Sequence, residues 1–327
     1  MLPTRLVRHF VAAALSMLAF GISDREAGAA TYPAGKITLI VGFAPGGIAD
    51  TLARMIGQGV TGRLHQTVVV ENRGGAGGNI AAGLVARAEP DGYTLLATTT
   101  ALAINETLHE NNPFSRTDLK AVAIAASSPE ALATSPSNPA NNLVDFLKAT
   151  KGRTINFGSA GVGTGSHIEA AYLFKFLAKV PAQHIPFQGG APAINAAMAN
   201  QIDLLATTLG GGAAAQIAGG KLKGLGVAAD QRAAVVPNVP TYAEQGFSGF
   251  TAASWVGVFA PAKTDPKILA RLNSAINDTI KTPQVQKHLI DLGFEPIVGS
   301  QAQADAMFNA EIDKWGKMVK ALGLSVK

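Results

Sequence analysis

Two hydrophobic rhythms alternate along the chain. Short, nearly continuous apolar runs, such as 37–41 and 93–98, read as buried strands. Stretches with apolar residues three or four positions apart, such as 49–60 and 302–322, read as helices. In order, this predicts strands over 36–41, 67–71 and 93–98, with helices over about 49–60 and 80–88 between them. Further strands are expected over 121–126, 155–157, 182–187, 201–206, 222–228 and 255–259. Helices are expected over 143–149, 168–177, about 193–199, up to about 217, 266–281 and 302–322. Strand–turn–helix units in series build a parallel sheet covered by helices, an α/β fold. Ser127-Ser128-Pro129 and Ser135-Pro136-Ser137-Asn138-Pro139 interrupt the pattern, so a crossing between two α/β domains is expected there. The strand at 222–228 leads back. The expected division is a discontinuous first domain, 31–126 plus 227–327, with a second domain, 127–226, inserted in it. Two crossings make a hinge, and ligands favour the cleft beside one.

The turns between strand and helix carry the candidate chemistry. Phe43-Ala44-Pro45-Gly46-Gly47-Ile48-Ala49-Asp50 joins the first strand to the first helix. The first amides of a helix lack partners and its dipole favours negative charge, so such a turn can trap an anion. Asp50 falls in the first helical turn, where a carboxylate is favourable. The inserted half has an equivalent, Gly158-Ser159-Ala160-Gly161-Val162-Gly163-Thr164-Gly165-Ser166-His167, with three hydroxyls able to donate to an anion. Gln188-Gly189-Gly190-Ala191-Pro192 opens another helix. Both glycine-rich ends could face each other across the cleft. Many such turns bind nothing, and the local pattern leaves that alternative open.

The amino terminus reads differently. Arg5, Arg8 and His9 precede an apolar run over 10–22, and Ala27-Gly28-Ala29 is a small-x-small cleavage pattern. Residues 1–30 therefore read as a secretory signal peptide, cut near Ala29 or Ala30. Hydrophobic residues make up 47% of the chain and aromatics 6%, which suits packed α/β layers rather than disorder. With no Cys, an oxidising compartment adds no disulfide. The net charge of +5 is scattered, with no basic stripe or stacking platform for nucleic acid.

Enzyme motifs fail one by one. The window Gly161-x-Gly163-x-x-Ser166 lacks the third glycine of a dinucleotide fingerprint, and Gly75-x-Gly77-x-x-Ile80 fails too. Gly220-Lys221 is followed by Leu222, so no phosphate loop is formed. No G-x-S-x-G elbow surrounds Ser159, Ser166 or Ser248. The six histidines are scattered without a metal-binding spacing, and no cofactor is expected. His167 could act as a base beside Ser166, cap its loop, or line the cleft. Asp203 could order the cleft or simply be a cap-bonding or solvated carboxylate. Trp255 reads as core, and Phe43 lies at a loop edge.

Several motifs in order carry a resemblance. They are Pro45-Gly46-Gly47-Ile48-Ala49-Asp50; Val70-Glu71-Asn72-Arg73-Gly74-Gly75-Ala76-Gly77-Gly78-Asn79; Pro90-Asp91-Gly92-Tyr93; Gly161 to His167; Pro186-Phe187-Gln188-Gly189-Gly190-Ala191-Pro192; Gln201-Ile202-Asp203; and Gly219-Gly220-Lys221. The chain resembles the Bug, or TctC-like, family of periplasmic solute-binding proteins of tripartite tricarboxylate transport systems, from Tyr32 to about Leu322. The resemblance implies a type II periplasmic-binding-protein fold, two α/β domains closing like a Venus flytrap on a small carboxylate. It implies no enzyme activity, a monomer in the periplasm, and tripartite tricarboxylate transporter membrane subunits or a sensor domain as partner. It puts Phe43, Ala44, Gly46, Gly47 and Asp50 on one jaw, with Thr99 in the loop after the third strand. Ser159, Ala160, Gly163, Thr164, His167 and Gln188, Gly189, Gly190, Ala191 stand on the other, with Asp203 behind it. Phe187, Gly210-Gly211-Gly212 and Thr98-Thr99-Thr100-Ala101-Leu102 depart from the family pattern and bear on ligand identity. A presenter of ligand to a sensor, or an exported hydrolase using Ser166 and His167, are the alternatives.

Overall fold

A computed structural model describes residues 32–327. The expected signal peptide, 1–30, lies outside the described residues. Strand β1 (Ile37–Val41) ends in the turn from which α1 (Ile48–Leu64) starts. Then come β2 (Val68–Asn72), α2 (Asn79–Ala86), β3 (Thr94–Thr99) and α3 (Ala101–Leu108). The middle of the chain holds β4 (Leu119–Thr134), α4 (Leu143–Ala149), β5 (Ile155–Ser159) and α5 (Gly165–Tyr172). It continues with β6 (Ala182–Pro186), α6 (Gly190–Met198), β7 (Leu204–Thr208), α7 (Ala213–Ala218) and β8 (Lys223–Val227). The last part supplies β9 (Ala253–Pro261), α8 (Pro266–Ile280), α9 (Pro283–Asp291), β10 (Glu295–Pro296) and α10 (Gln301–Leu322). Local signals set several ends. Asp265 caps α8 ahead of Pro266, and Ser300 and Gln303 form a capping box on α10.

The strands run in the order β2-β1-β3-β9-β4-β7-β5-β6, with β8 and β10 paired to β4. Two parallel triplets, β2-β1-β3 and β7-β5-β6, flank a central antiparallel pair, β9 and β4. The expectation of a purely parallel sheet therefore holds for each flank and fails at the centre, where β9 and β4 run against their neighbours.

The break expected at 127–129 is also resolved differently. The strand does not end at 126; β4 runs on through Ser127, Ser128 and Pro129 to Thr134. What changes is the partner. Residues up to Pro129 pair with β9, and residues from Glu130 onward pair with β7. Pro129 has no N–H to donate to a ladder, and it sits at the switch. Its carbonyl still accepts from Leu209 N at 3.0 Å. At this point three chain segments are tied in a ring: Glu130 N donates to Ala252 O, Ala252 N to Ala228 O, and Ala228 N to Glu130 O, each at 2.9 Å.

Separate cores lie on the two sides of this switch. Ile40, Leu96, Ile124, Trp255, Phe259 and Phe308 belong to one, so Trp255 is core as expected. Leu132, Phe157, Phe174, Leu204 and Tyr242 belong to another, which Ile104 of α3 and Trp315 of α10 also enter, so these two helices reach both cores. Two element assignments shift. The stretch 98–102 is not a loop, because β3 ends at Thr99 and α3 starts at Ala101. The strand expected over 201–206 is β7 at Leu204–Thr208, because Asn200, at φ +56°, ends the α6 segment in a turn that continues to Asp203.

Candidate functional site

The turn after β1 is built around Asp50. This buried carboxylate accepts from Gly46 N at 2.9 Å, Arg54 Nη2 at 2.8 Å and Asn72 Nδ2 at 2.9 Å. Asn72 Nδ2 also donates to Phe43 O at 3.0 Å, so one network fixes both ends of the turn. Burial pushes the Asp50 carboxyl up, but the hydrogen bonds from Arg54, Gly46 and Asn72 outweigh it and hold the group below its ordinary range. Asp50 therefore shapes the loop from behind and is ionised.

The turn so fixed meets the turn before α6 at close quarters. Gly46 has φ +86°, and a Cβ there would stand 3.5 Å from Ala191 Cβ. A Cβ on Gly189 would stand 3.3 Å from Ala44 Cβ. Glycine is used here because Gly46 and Gly189, at φ +86° and +131°, take backbone conformations that side chains rarely adopt, and a Cβ on Gly189 would also press on Ala44.

Beside this contact lies a cavity with an empty volume of about 510 Å³. Three helices begin on its wall: α1 with Gly47, Ile48 and Ala49; α5 with Thr164, Gly165 and Ser166; and α6 with Gly190. The first amides of each helix have no intrahelical acceptor, and each helix places about half a positive charge at its start. Thr99, Thr207, Thr208 and Ser254 add hydroxyls, while Phe43 and Ile194 supply apolar surface. No Lys, Arg, His, Asp or Glu stands among the described lining residues. Neutral donors converging from three helix ends, with apolar walls beside them, suit a small anion that has a hydrocarbon body.

Of the residues expected from sequence, Phe43, Gly47, Thr99, Ala160, Thr164 and Gly190 line this cavity. Ala44, Gly46, Gly189 and Ala191 form the contact beside it, and Gln188 lines an adjoining cavity. Others are placed elsewhere. Gly163 packs against Asn105 of α3. Ser159 Oγ points to His184 Nε2, 2.7 Å away. His167 does not reach the cavity either. Its Nδ1 accepts from Gly163 N at 3.3 Å, and its ring stacks on His184 with centroids 3.9 Å apart, behind the turn. Burial lowers His167 to about 4; burial and then His167 lower His184 to about 3, so both rings are neutral at pH 7. Ser166 Oγ bonds Thr164 Oγ1 at 3.2 Å rather than His167. Asp203 is bound by Arg153 Nη1 at 2.8 Å and Asn156 N at 2.9 Å, away from the cavity wall.

Ser254, Thr207, Thr208 and Ile194 were not singled out from sequence. Ser254 had one usable signal, its position directly before the strand read at 255–259. Its hydroxyl donates to Glu130 Oε1 at 2.6 Å. Glu130 stands on β4 at the partner switch, fully buried, under the start of α5: a Cβ on Gly165 would lie 2.4 Å from Glu130 Oε1. Burial pushes Glu130 up to about 8, with Ser254 opposing and Glu169 adding to the shift. Burial likewise pushes the neighbouring Glu169 up to about 8, opposed in part by the Tyr242 hydroxyl. The cavity wall thus rests, through Ser254 and Gly165, on the buried, protonated Glu130, with Glu169 nearby.

The comparisons with known proteins establish the family. The family model described as "Tripartite tricarboxylate transporter family receptor", TctC, matches residues 52–324. The chain belongs to the TctC family. Protein BugT of Bordetella pertussis is 32% identical over 91% of this chain and 92% of its own. MatC from Rhodopseudomonas palustris, solved with bound malate, superposes with a TM-score of 0.82 at 32% identity, covering 88% of this chain and all of MatC. An R. palustris protein solved with adipate gives a TM-score of 0.86 at 28% identity, covering 90% of this chain and 99% of that one. This TctC chain is a solute-binding protein with the periplasmic-binding-protein fold, and its relatives are binding proteins rather than enzymes.

Two predictions follow the geometry. Asp50→Ala removes the acceptor for Gly46, Arg54 and Asn72, and should cost about 1–3 kcal/mol of stability. Hydrogen exchange at the Gly46 amide should accelerate; unchanged exchange would show that Asp50 does not hold the turn. The second concerns pH. Glu130 and Glu169 keep their protons in the folded chain up to about pH 8, whereas the unfolded chain releases them near the ordinary glutamate value of 4.5. The folded state binds more protons in that window, so stability falls as pH rises through it. Glu130→Gln should flatten the fall, its melting temperature gaining on wild type from pH 5 to pH 8. Parallel slopes would contradict the buried-acid account.

Proposed function

We propose that this chain captures a small carboxylate in the cavity between its two halves and delivers it to the membrane subunits of a tripartite tricarboxylate transporter. The observation that carries this reading is the convergence of three helix starts on a cavity whose wall has hydroxyls but no charged side chain. A carboxylate fits that wall because unpaired amides and helix dipoles favour an anion without a paired cation. The adipate and malate held by two relatives support the same ligand class. The carboxylate is held by the starts of α1, α5 and α6, with Thr99, Thr164 and Ser254 nearby; Asp50 acts on it only through the turn.

The two halves move as lobes, one on each side of the partner switch in β4. The backbone ring of Glu130, Ala228 and Ala252 is the natural hinge line, because three crossing strands of chain share it. On that basis the inserted lobe extends from about 130 to about 252 rather than ending at 226, because Thr241 bridges Val227 and Ala252 is tied to both Glu130 and Ala228. The protein works as a monomer in the periplasm, exported by the signal at 1–30. No helix among the described residues is long and apolar enough to cross a membrane, so the transporter's own subunits carry the ligand across.

A panel of mono- and dicarboxylates should contain a ligand that raises the melting temperature. At about a hundred times its dissociation constant it stabilises the folded state by roughly 2.7 kcal/mol. Gly46→Val places a branched side chain at φ +86° against Ala191, and should remain folded while losing about tenfold or more in affinity, or about 1.4 kcal/mol. Calorimetry checks both. A panel without a single stabilising acid would refute the ligand class, and full affinity in folded Gly46→Val would refute the closed contact as part of the site.

A further inference from the structure

The ligand cavity has a neighbour. A second cavity, with an empty volume of about 560 Å³, is lined by Gly75 to Gly78 of the turn after β2, by Gly161 and Val162, and by Phe187 and Gln188. Two residues, Phe43 and Ala160, stand on the walls of both cavities. Ala160 is small. Phe43 is the only large side chain among the described residues shared by the two.

Phe43 is also held in place with unusual completeness. Its carbonyl is fixed by Asn72, which is fixed in turn by Asp50. Its ring tip lies over Gly78, where a Cβ would stand 3.3 Å from Phe43 Cζ. It is 8% exposed although it belongs to a turn. With its backbone held by Asn72 and its ring packed over Gly78, the side chain does not swing aside without disturbing the turn after β2. We propose that Phe43 is the partition that sets ligand length in this binding site: with the ring in place the occupant is a short-chain carboxylate, and the second cavity is a chamber that a longer linear acid would enter if the ring were absent.

The chemistry of the second chamber fits this role. Its wall combines the glycine backbone at Gly75–Gly78 with Phe187 and Val162, and has Gln188 as its amide side chain and no charged group among the described lining residues. It can solvate the far polar end of an extended molecule, while the helix starts in the first cavity hold the near carboxylate. The partition is an effect on shape, so it acts on ligand length and leaves the preference for an anion untouched. The inference rests on the carboxylate reading of the first cavity.

The test is a length series. Straight-chain dicarboxylates of four to eight carbons, and the matching monocarboxylates, are titrated calorimetrically into wild type, Phe43→Leu and Phe43→Ala. The readout is the ratio of affinities for the longest and shortest acids within each protein, which a uniform loss of packing does not move. Wild type should favour the short members. Phe43→Ala should raise the long-to-short ratio at least tenfold, with Phe43→Leu between them. If acids bind wild type but the ratio is the same in all three proteins, the partition is wrong and the carboxylate reading stands. If no acid of either series binds wild type, the carboxylate reading itself fails and the partition fails with it. Should Phe43→Ala not fold, Phe43→Leu keeps an apolar side chain but lacks the ring tip over Gly78, and must still shift the ratio in the same direction.

Discussion

The site depends on how closely two backbones can approach. The turn at Ala44–Gly47 and the turn at Gly189–Ala191 stand in close contact, tightest where a Cβ on Gly189 would lie 3.3 Å from Ala44 Cβ. At that separation the starts of α1 and α6 share a wall with α5. A helix start alone carries a partial charge that water screens readily. Three of them facing one low-polarity space make a field that water cannot easily reproduce. The absence of Lys and Arg from the described wall is then consistent with anion binding rather than evidence against it.

The strength of this arrangement lies in what stands behind it. Asp50 and Asn72 hold one turn through hydrogen bonds to Gly46 and Phe43, so the charged groups of the site are a layer away from the ligand space. On the opposite side, Ser254 connects the wall to Glu130, and Glu130 lies on the strand where the sheet changes partner. A carboxyl buried at that point is tolerated because burial keeps it protonated. The same residue is tied by its backbone to Ala228 and Ala252. The cavity wall and the backbone ring at the partner switch are therefore joined through a single residue, Glu130.

Much of this was legible in the sequence, for identifiable reasons. Turns such as Pro45-Gly46-Gly47 and Gly189-Gly190 carry local signals, since glycine before a helix start has a direct meaning for backbone approach. The residues they place on the cavity wall, Phe43, Gly47, Thr164 and Gly190, are found there. The central strand was misread because Ser127-Ser128-Pro129 is a turn signal locally, while the ladder it sits in is decided by distant partners. His167 was drawn toward the site by its position in a glycine-rich loop; its ring instead stacks on His184, nearly twenty residues away in sequence, which no spacing rule could supply. Asp203 likewise reads as a cleft acid until Arg153 is seen to hold it. Glu130 and Ser254 carried no motif at all, because their meaning comes from two strands crossing.

The central claim is that backbone amides at three helix starts, rather than a cationic side chain, hold the ligand's carboxylate. A high-resolution crystal structure with the tightest-binding acid of the panel tests it directly. The account predicts carboxylate oxygens within hydrogen-bond distance of amides among Gly47–Ala49, Gly165–Ser166 and Gly190, with Arg54 still bound to Asp50. A carboxylate paired with Arg54 or another cation, or seated outside this cavity, would contradict it.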